Sequence, residues 1–222
     1  METMAFLGCS RGLGHAVCGE MDRRDLLKKA LLVSRQKKAL ELLSEQLNAA
    51  SVTQELDFSN PDNVGVLVNE LKMIQPKRFF YFAVGGCYGH FATKKWKDHF
   101  WGLQVTFLTP AQLLHSCLTE PELAGIEQII FVGSQIADSQ GDPRASSYAA
   151  GKHALKGLID SIHKEGCDKD IRLFRPGYMD TDLLPPNCPP RLSGAPLLKP
   201  DEAARRFVDW ALDPSGKAIF DL

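Results

Sequence analysis

The 222-residue chain has no apolar run near the ~20 residues of a membrane span. It has no excess of either charge: the net is −1, so no overall field draws it to nucleic acid or an anionic membrane. Its six cysteines (Cys9, Cys18, Cys87, Cys117, Cys167 and Cys188) form no C-x-x-C pair. Scattered thiols of this kind are expected to be reduced packing residues in the cytoplasm. The six histidines do not cluster with them, so no metal site is expected. The first residues, METMAFLGCS, lack a charged lead and a long apolar core, so a secretory signal is not expected there. There is no G-K-[ST], which argues against a P-loop, and no G-x-G-x-x-G. Repeats, low-complexity tracts and linkers are also missing, so residues 1–222 read as one domain.

Short apolar runs alternate with helical patterns. The runs are Met4–Gly8, Ala30–Ser34, Val52–Phe58, Phe79–Val84, Gln128–Ser134, Ile171–Arg175 and Ala218–Leu222. They are continuous rather than alternating, as in a parallel sheet covered on both faces. Helices are expected at about Gly12–Met21, Lys37–Leu47, after Asn60–Pro61, over Trp96–Leu118 with a kink at Pro110, at Tyr148–Lys164, and from Pro200 to Leu212. Tyr178–Pro200 holds six prolines and is too long for a mere connection, which suggests a lid.

Three stretches carry chemistry. The first is the turn Gly8-Cys9-Ser10-Arg11-Gly12-Leu13-Gly14, between a strand and a helix. Glycines there let backbone N–H groups and a helix N-terminus approach a phosphate; alone, the turn fits a plain glycine-rich connection equally well. The second is the end of the second strand, Ser34-Arg35-Gln36-Lys37-Lys38, which has no acid to accept a ribose hydroxyl. Arg35 and Arg11 can hold a 2′-phosphate by forked bonds, which favours NADP(H) over NAD(H). Lys37 and Lys38 read equally as solvated charges at a helix start.

The third stretch runs from Ser134 to Lys152. Tyr148 and Lys152 are four apart and share a helix face. A phenol titrates near ~10, and a cation within ~4–6 Å lowers that value, making a proton donor and acceptor near working pH. Ser134 can hydrogen-bond a carbonyl or alkoxide oxygen beside the phenol. A Y-x-x-x-K pair by itself reads more simply as a surface helix with a chance tyrosine and lysine.

G-x-x-x-G-x-G, then Ser134, Tyr148-x-x-x-Lys152 and Pro176-Gly177, in this order along nearly the whole chain, resembles the short-chain dehydrogenase/reductase family. The resemblance implies a Rossmann sheet of about seven strands in the order 3-2-1-4-5-6-7, with helices on both faces. It implies an NAD(P) cofactor, a small carbonyl or alcohol substrate, and a homodimer or homotetramer through the Tyr148 helix, for which Leu158 and Ile162 offer a face, although core burial explains those two equally well. Tyr148 would be the acid/base, Lys152 would orient the nicotinamide ribose and lower the phenol's pKa, and Ser134 would position the substrate oxygen. Ser10 and Arg11 match the S-R-G form of NADPH-using members. Gly8, Gly12, Leu13 and Gly14 would line the pyrophosphate, with Ser34 beside the adenosine. Asp57 and Phe58 would meet the adenine, Ala83, Val84 and Gly85 would back the adenosine side, and Pro176, Gly177, Met179 and Thr181 would face the nicotinamide amide.

Two departures stand out. Phe82-Ala83-Val84-Gly85 replaces the family's N-N-A-G, so its asparagine bracing must be supplied otherwise. Gln104 stands where the family's relay asparagine is expected. These departures motivate an alternative: a non-catalytic NADP(H)-binding redox-sensing regulator. On the substrate side the candidates are Gln135, Cys87, Tyr88, His90, the loop Ala137–Ala145 and the 178–200 loop. Cys87 reads more simply as a packed thiol than as a redox sensor. Trp96, Trp101 and Phe107 are expected in the core, and Met179 fits packing as well as capping of the nicotinamide.

Overall fold

The computed structural model describes residues 1–138 and 142–222; residues 139–141, within the expected Ala137–Ala145 loop, lie outside the described residues. Seven strands form one parallel sheet: β1 (Glu2–Leu7), β2 (Leu27–Ser34), β3 (Ala50–Glu55), β4 (Arg78–Tyr81), β5 (Gln128–Val132), β6 (Asp170–Arg175) and β7 (Ile219–Asp221). Their order is β3-β2-β1-β4-β5-β6-β7, as the resemblance implies.

The continuous apolar runs are explained by burial on both faces. Along β1, Ala5 and Leu7 enter one core with Leu31, Val33, Phe79, Tyr81, Ile129 and Phe131. Met4 and Phe6 enter the opposite core with Ala30, Leu32, Phe80 and Ile130. Successive side chains of a strand point to opposite faces, so a segment buried on both, such as Met4–Leu7 or Phe79–Tyr81, reads as one apolar run. Helices α3 (Asn63–Ile74), α5 (Thr109–Thr119) and α6 (Ser146–Glu165) cover the first face, and α1 (Gly12–Arg23), α2 (Lys37–Gln46) and α8 (Pro200–Leu212) cover the second. The α6 stripe of Leu155, Ile159 and Ile162 is buried in the first core, with Leu158 at its margin. The helix stops at Gly166, whose φ of 79° suits the left-handed C-terminal position.

Several expected boundaries shift, among them β3, which runs Ala50–Glu55 rather than Val52–Phe58. The strand before the Phe82–Gly85 turn ends at Tyr81: the Phe82 N–H makes the last ladder bond to the Leu7 carbonyl, and the Ala83 N–H turns back onto the same carbonyl. The Trp96–Leu118 helix is two helices, α4 (Trp96–Leu103) and α5, joined by a π-helical turn at Gln104–Leu108. Pro110 sits in the first turn of α5. It cannot donate to the carbonyl four residues back and its ring crowds that carbonyl, so the turn before it widens rather than simply kinking. The 178–200 segment is also more ordered than a loop: it contains α7 (Pro189–Leu192) and a bridge from Met179 to Leu198.

Candidate active site

At the carboxyl ends of the strands lies a cavity of about 720 Å³. One end is built by the first turn. Gly8 has φ 92°, and a Cβ there would lie 2.4 Å from the Ala83 nitrogen, so β1 and the turn after β4 meet only through glycine. Gly12 has φ 61° and opens α1. The α1 N-terminus has no side-chain cap and no acid in its first turn. Its unsatisfied N–H groups and positive dipole end therefore favour an anion, and Ser10, Arg11, Gly12 and Leu13 line the cavity there. These residues fit a dinucleotide phosphate.

At the end of β2, Ser34 is buried and its Oγ accepts from the Gln36 N–H at 3.1 Å. Arg35 lies over the Trp101 ring, 5.7 Å from its centroid. The stack holds the guanidinium at the cavity wall, and among the described residues its N–H groups have no hydrogen-bond partner, which leaves them for a phosphate. Trp101 packs against the core as expected and also lines the cavity. Trp96, also expected in the core, is 67% exposed, while Phe107 does pack against the core. Arg11 pairs with Asp182 at 3.1 Å. Both partners are exposed, so the pair is worth at most about 1 kcal/mol and a ligand anion can compete for the arginine. Asp57, Phe58, Ala83 and Val84 line the same end; the Asp57 carboxylate also accepts from the N–H and hydroxyl of Ser59.

The other end is built by β5, α6 and the segment after β6. Ser134 caps the short turn Gln135–Ala137, accepting from the Ile136 N–H at 3.3 Å. Ser134 and Tyr148 both line the cavity. The Lys152 Nζ lies 5.6 Å from the Tyr148 ring centroid and donates to the Val132 carbonyl at 2.5 Å. Burial raises the Tyr148 phenol; the Ser134 hydroxyl opposes this and Asp142 adds to it. Burial also pulls Lys152 down to about 7. The expectation that Lys152 depresses the phenol is thus corrected. The ammonium sits over the ring face, bound to a carbonyl and titrating near neutrality, so desolvation dominates both groups.

Pro176, Gly177, Met179 and Thr181 line this end as well. The turn is fixed from below: buried Arg175 donates to both Asp221 oxygens at 2.7 Å and to Asp138, and the Gly177 N–H donates to the Leu222 carbonyl at 2.8 Å. Cys87, Tyr88 and Gln135 line the cavity; His90 does not. Met179 both lines the cavity and bridges Leu198.

Two expected site residues stand apart. Gly85 and Gln104 do not line the cavity. Gln104 is 3% exposed and donates from Nε2 to the Thr109 hydroxyl, which donates in turn to the Phe58 carbonyl. Its amide braces the π-helical turn against the strand-three loop instead of facing a substrate.

The bracing that the missing asparagines left open comes from Thr106, which sequence reasoning did not single out. Its hydroxyl accepts from the Gly85 N–H at 3.1 Å and donates to the Gly85 carbonyl at 2.7 Å. The partnership spans 21 residues and only the π-helical turn aims the threonine, so no local pattern signals it. Also unanticipated is the clasp from Tyr178, whose hydroxyl donates to both Asp142 oxygens at 2.7 Å. Burial and that carboxylate push Tyr178 up to about 12, so this second phenol is held as a protonated donor.

The family model described as short chain dehydrogenase matches residues 2–188, and the chain belongs to that family of oxidoreductases. Comparison by sequence with curated proteins gives no match. Solved structures with the same fold include a short-chain dehydrogenase from Streptomyces avermitilis (TM-score 0.83, 16% identity, covering 100% of this chain and 88% of that one). A short-chain dehydrogenase from Sphingobium yanoikuyae in complex with NADPH superposes with a TM-score of 0.83 at 16% identity, covering 100% and 87%. An alcohol dehydrogenase from Thermococcus sibiricus complexed with 5-hydroxy-NADP gives 0.80 at 20% identity, covering 100% and 95%. No helix among the described residues is long and apolar enough to cross a membrane.

Proposed function

We propose that residues 1–222 form a single NADP(H)-dependent oxidoreductase domain acting on a small carbonyl or alcohol substrate. The observation that carries this reading is the meeting of Ser134, Tyr148 and Lys152 at one end of a cavity whose other end is an uncapped, glycine-lined helix N-terminus. When bound, the dinucleotide supplies or accepts the hydride.

The chain's own residues do the rest. The Gly8–Gly14 turn and the α1 N-terminus bind the pyrophosphate. Arg11 and Arg35 bind the 2′-phosphate by charge-assisted bonds, which is the basis for preferring NADP(H) to NAD(H). Asp57, Phe58, Ala83 and Val84 hold the adenosine end, and Lys152 orients the nicotinamide ribose. Pro176, Gly177, Met179 and Thr181 hold the amide. In reduction Tyr148 gives its proton to the substrate oxygen and Ser134 donates a hydrogen bond to it. Burial favours the protonated phenol, which suits the reducing direction. The NADPH and 5-hydroxy-NADP complexes of the two similar structures accord with this preference.

The regulator alternative rested on Gln104 and the missing asparagines. Thr106 supplies the brace at Gly85, so the missing asparagines do not count against turnover, and Gln104, committed to Thr109, is given no part in the proton path. We assign the enzyme to the cytoplasm as a homodimer or homotetramer, with Leu158 on the α6 face offered for association.

The test is Tyr148→Phe assayed over a carbonyl panel, with NADPH binding followed by fluorescence. Turnover is expected to vanish while binding stays nearly intact. Unchanged turnover would remove the mechanism.

A further inference from the structure

A thiol, an imidazole and a hydroxyl that the proposed hydride transfer leaves unused meet at the cavity wall. The Cys87 Sγ lies 3.2 Å from His99 Nδ1 and 3.4 Å from the Ser147 Oγ. The Ser147 Oγ lies 3.1 Å from the same Nδ1. On its far side, His99 Nε2 lies 3.0 Å from the Phe91 carbonyl oxygen. A carbonyl can only accept, so Nε2 carries the proton and Nδ1 of the neutral ring is the acceptor. His99 is 3% exposed and its ring is flanked by Phe91 and Trp96, with centroids at 4.5 and 6.2 Å. Packing and the carbonyl therefore fix a basic nitrogen facing the thiol. The thiol proton reaches Nδ1 directly or through the Ser147 hydroxyl.

Access separates Cys87 from its counterparts. Cys9, Cys18, Cys117 and Cys188 are buried, and burial pushes Cys9 and Cys117 up to about 12. Cys87 and Cys167 are partly exposed, but the Cys167 Sγ has only a weak bond from the Lys169 N–H at 3.4 Å. Cys87 lines the cavity. The adjoining segment, residues 88–97, contains Lys94, Lys95 and Lys97 and no acid, and all three lysines are exposed. Of the carboxylates that line the cavity, Asp142 is taken by Tyr178, Asp180 by Arg191 and Lys199, and Asp182 by Arg11, while Asp57 lies at the glycine-turn end; Asp98 directly follows the lysine segment.

We propose that Cys87 is a thiol-exchange site, with His99 as its base, that takes up a small disulfide bearing carboxylates. The Cys87 proton passes to His99 Nδ1 as the sulfur attacks one sulfur of the incoming disulfide. A new S–S bond forms, the old one breaks, and the departing thiolate takes the proton from His99. One cysteine sulfur is oxidised and one half of the disulfide is reduced, so the exchange balances without another reagent. The adduct fills the substrate end of the cavity beside Tyr148 and leaves the glycine-turn end open.

The geometry stands apart from the hydride chemistry, and so does its test. The whole chain is treated with oxidised glutathione at neutral pH, quenched, and mapped by peptide mass, folded and in urea. In urea Cys87 and Cys167 should react alike. Folded, Cys87 should react faster than it does in urea and ahead of Cys167, and a reducing thiol should reverse the adduct. His99→Gln should slow Cys87 about tenfold or more, the scale of a lost general base, and leave Cys167 unchanged. Cystamine, a cationic disulfide, should react more slowly than oxidised glutathione. A folded Cys87 slower than in urea, or matched by Cys167, would overturn the site. An unchanged rate in a folded His99→Gln variant would overturn the role of the imidazole, and faster reaction with cystamine would overturn the carboxylate selection.

Discussion

Removing the charge of Lys152 should make the free protein more stable, although the residue is placed at the centre of the chemistry. Lys152 is 3% exposed, and burial pulls it from the usual 10.5 to about 7. Between those values the unfolded chain binds a proton that the native state does not, so stability rises with pH through this window. Below about 7 both states are protonated, and the folded state carries the full cost of a buried cation. From these two values the cost is about 4 kcal/mol at pH 7 and about 2 kcal/mol at pH 9. Lys152→Met keeps the side-chain length and removes the charge, but loses the 2.5 Å bond to the Val132 carbonyl, worth about 1 kcal/mol. The variant should therefore be more stable by about 3 kcal/mol at pH 7 and about 1 kcal/mol at pH 9. In a chain of this length that gives a rise in Tm of about 10 °C at pH 7. Urea titrations of both proteins at the two pH values measure the gap. Taking the difference cancels other titrating groups, including Cys9 and Cys117, whose raised values act in the opposite direction at high pH. A gap that stays constant or widens from pH 7 to pH 9 would refute the reasoning. Turnover by the variant should be lost under all these conditions.

Three further outcomes follow from single contacts. Arg35→Ala should weaken NADPH binding by about tenfold to a hundredfold, the worth of charge-assisted bonds, and leave NADH binding nearly unchanged; fluorescence titration with both cofactors decides, and an equal loss for both would discredit the 2′-phosphate assignment. Thr106→Val should destabilise the fold by about 2–4 kcal/mol, because it strands both the N–H and the carbonyl of Gly85 in a buried setting. Thr106→Ser should recover most of that loss in the same urea titration. Gly8→Ala should fail to accumulate as folded protein, since its Cβ meets the Ala83 backbone at 2.4 Å and its φ is 92°; a normal melting curve would contradict the close approach of the two turns.

Much of this molecule is written locally. Doubly buried strands need uninterrupted apolar residues, and Phe79–Tyr81 or Ile129–Phe131 show them without any partner in view. The glycine turn and the four-residue spacing of Tyr148 and Lys152 are equally local, because turn geometry and helix periodicity depend on near neighbours. Sequence therefore determined the sheet, its helices and most of the residues that gather at the strand ends, though not that Gly85 and Gln104 stand apart from them. It could not determine how those residues behave once enclosed. The depression of Lys152 to about 7 comes from burial under elements distant in the chain. The placement of Trp101 under Arg35 is set across 66 positions, and the Thr106 brace depends on a π-helical turn whose cause, Pro110, looked like an ordinary kink. Desolvation and long-range hydrogen bonds are properties of the assembled surroundings, so only the tertiary structure decided them.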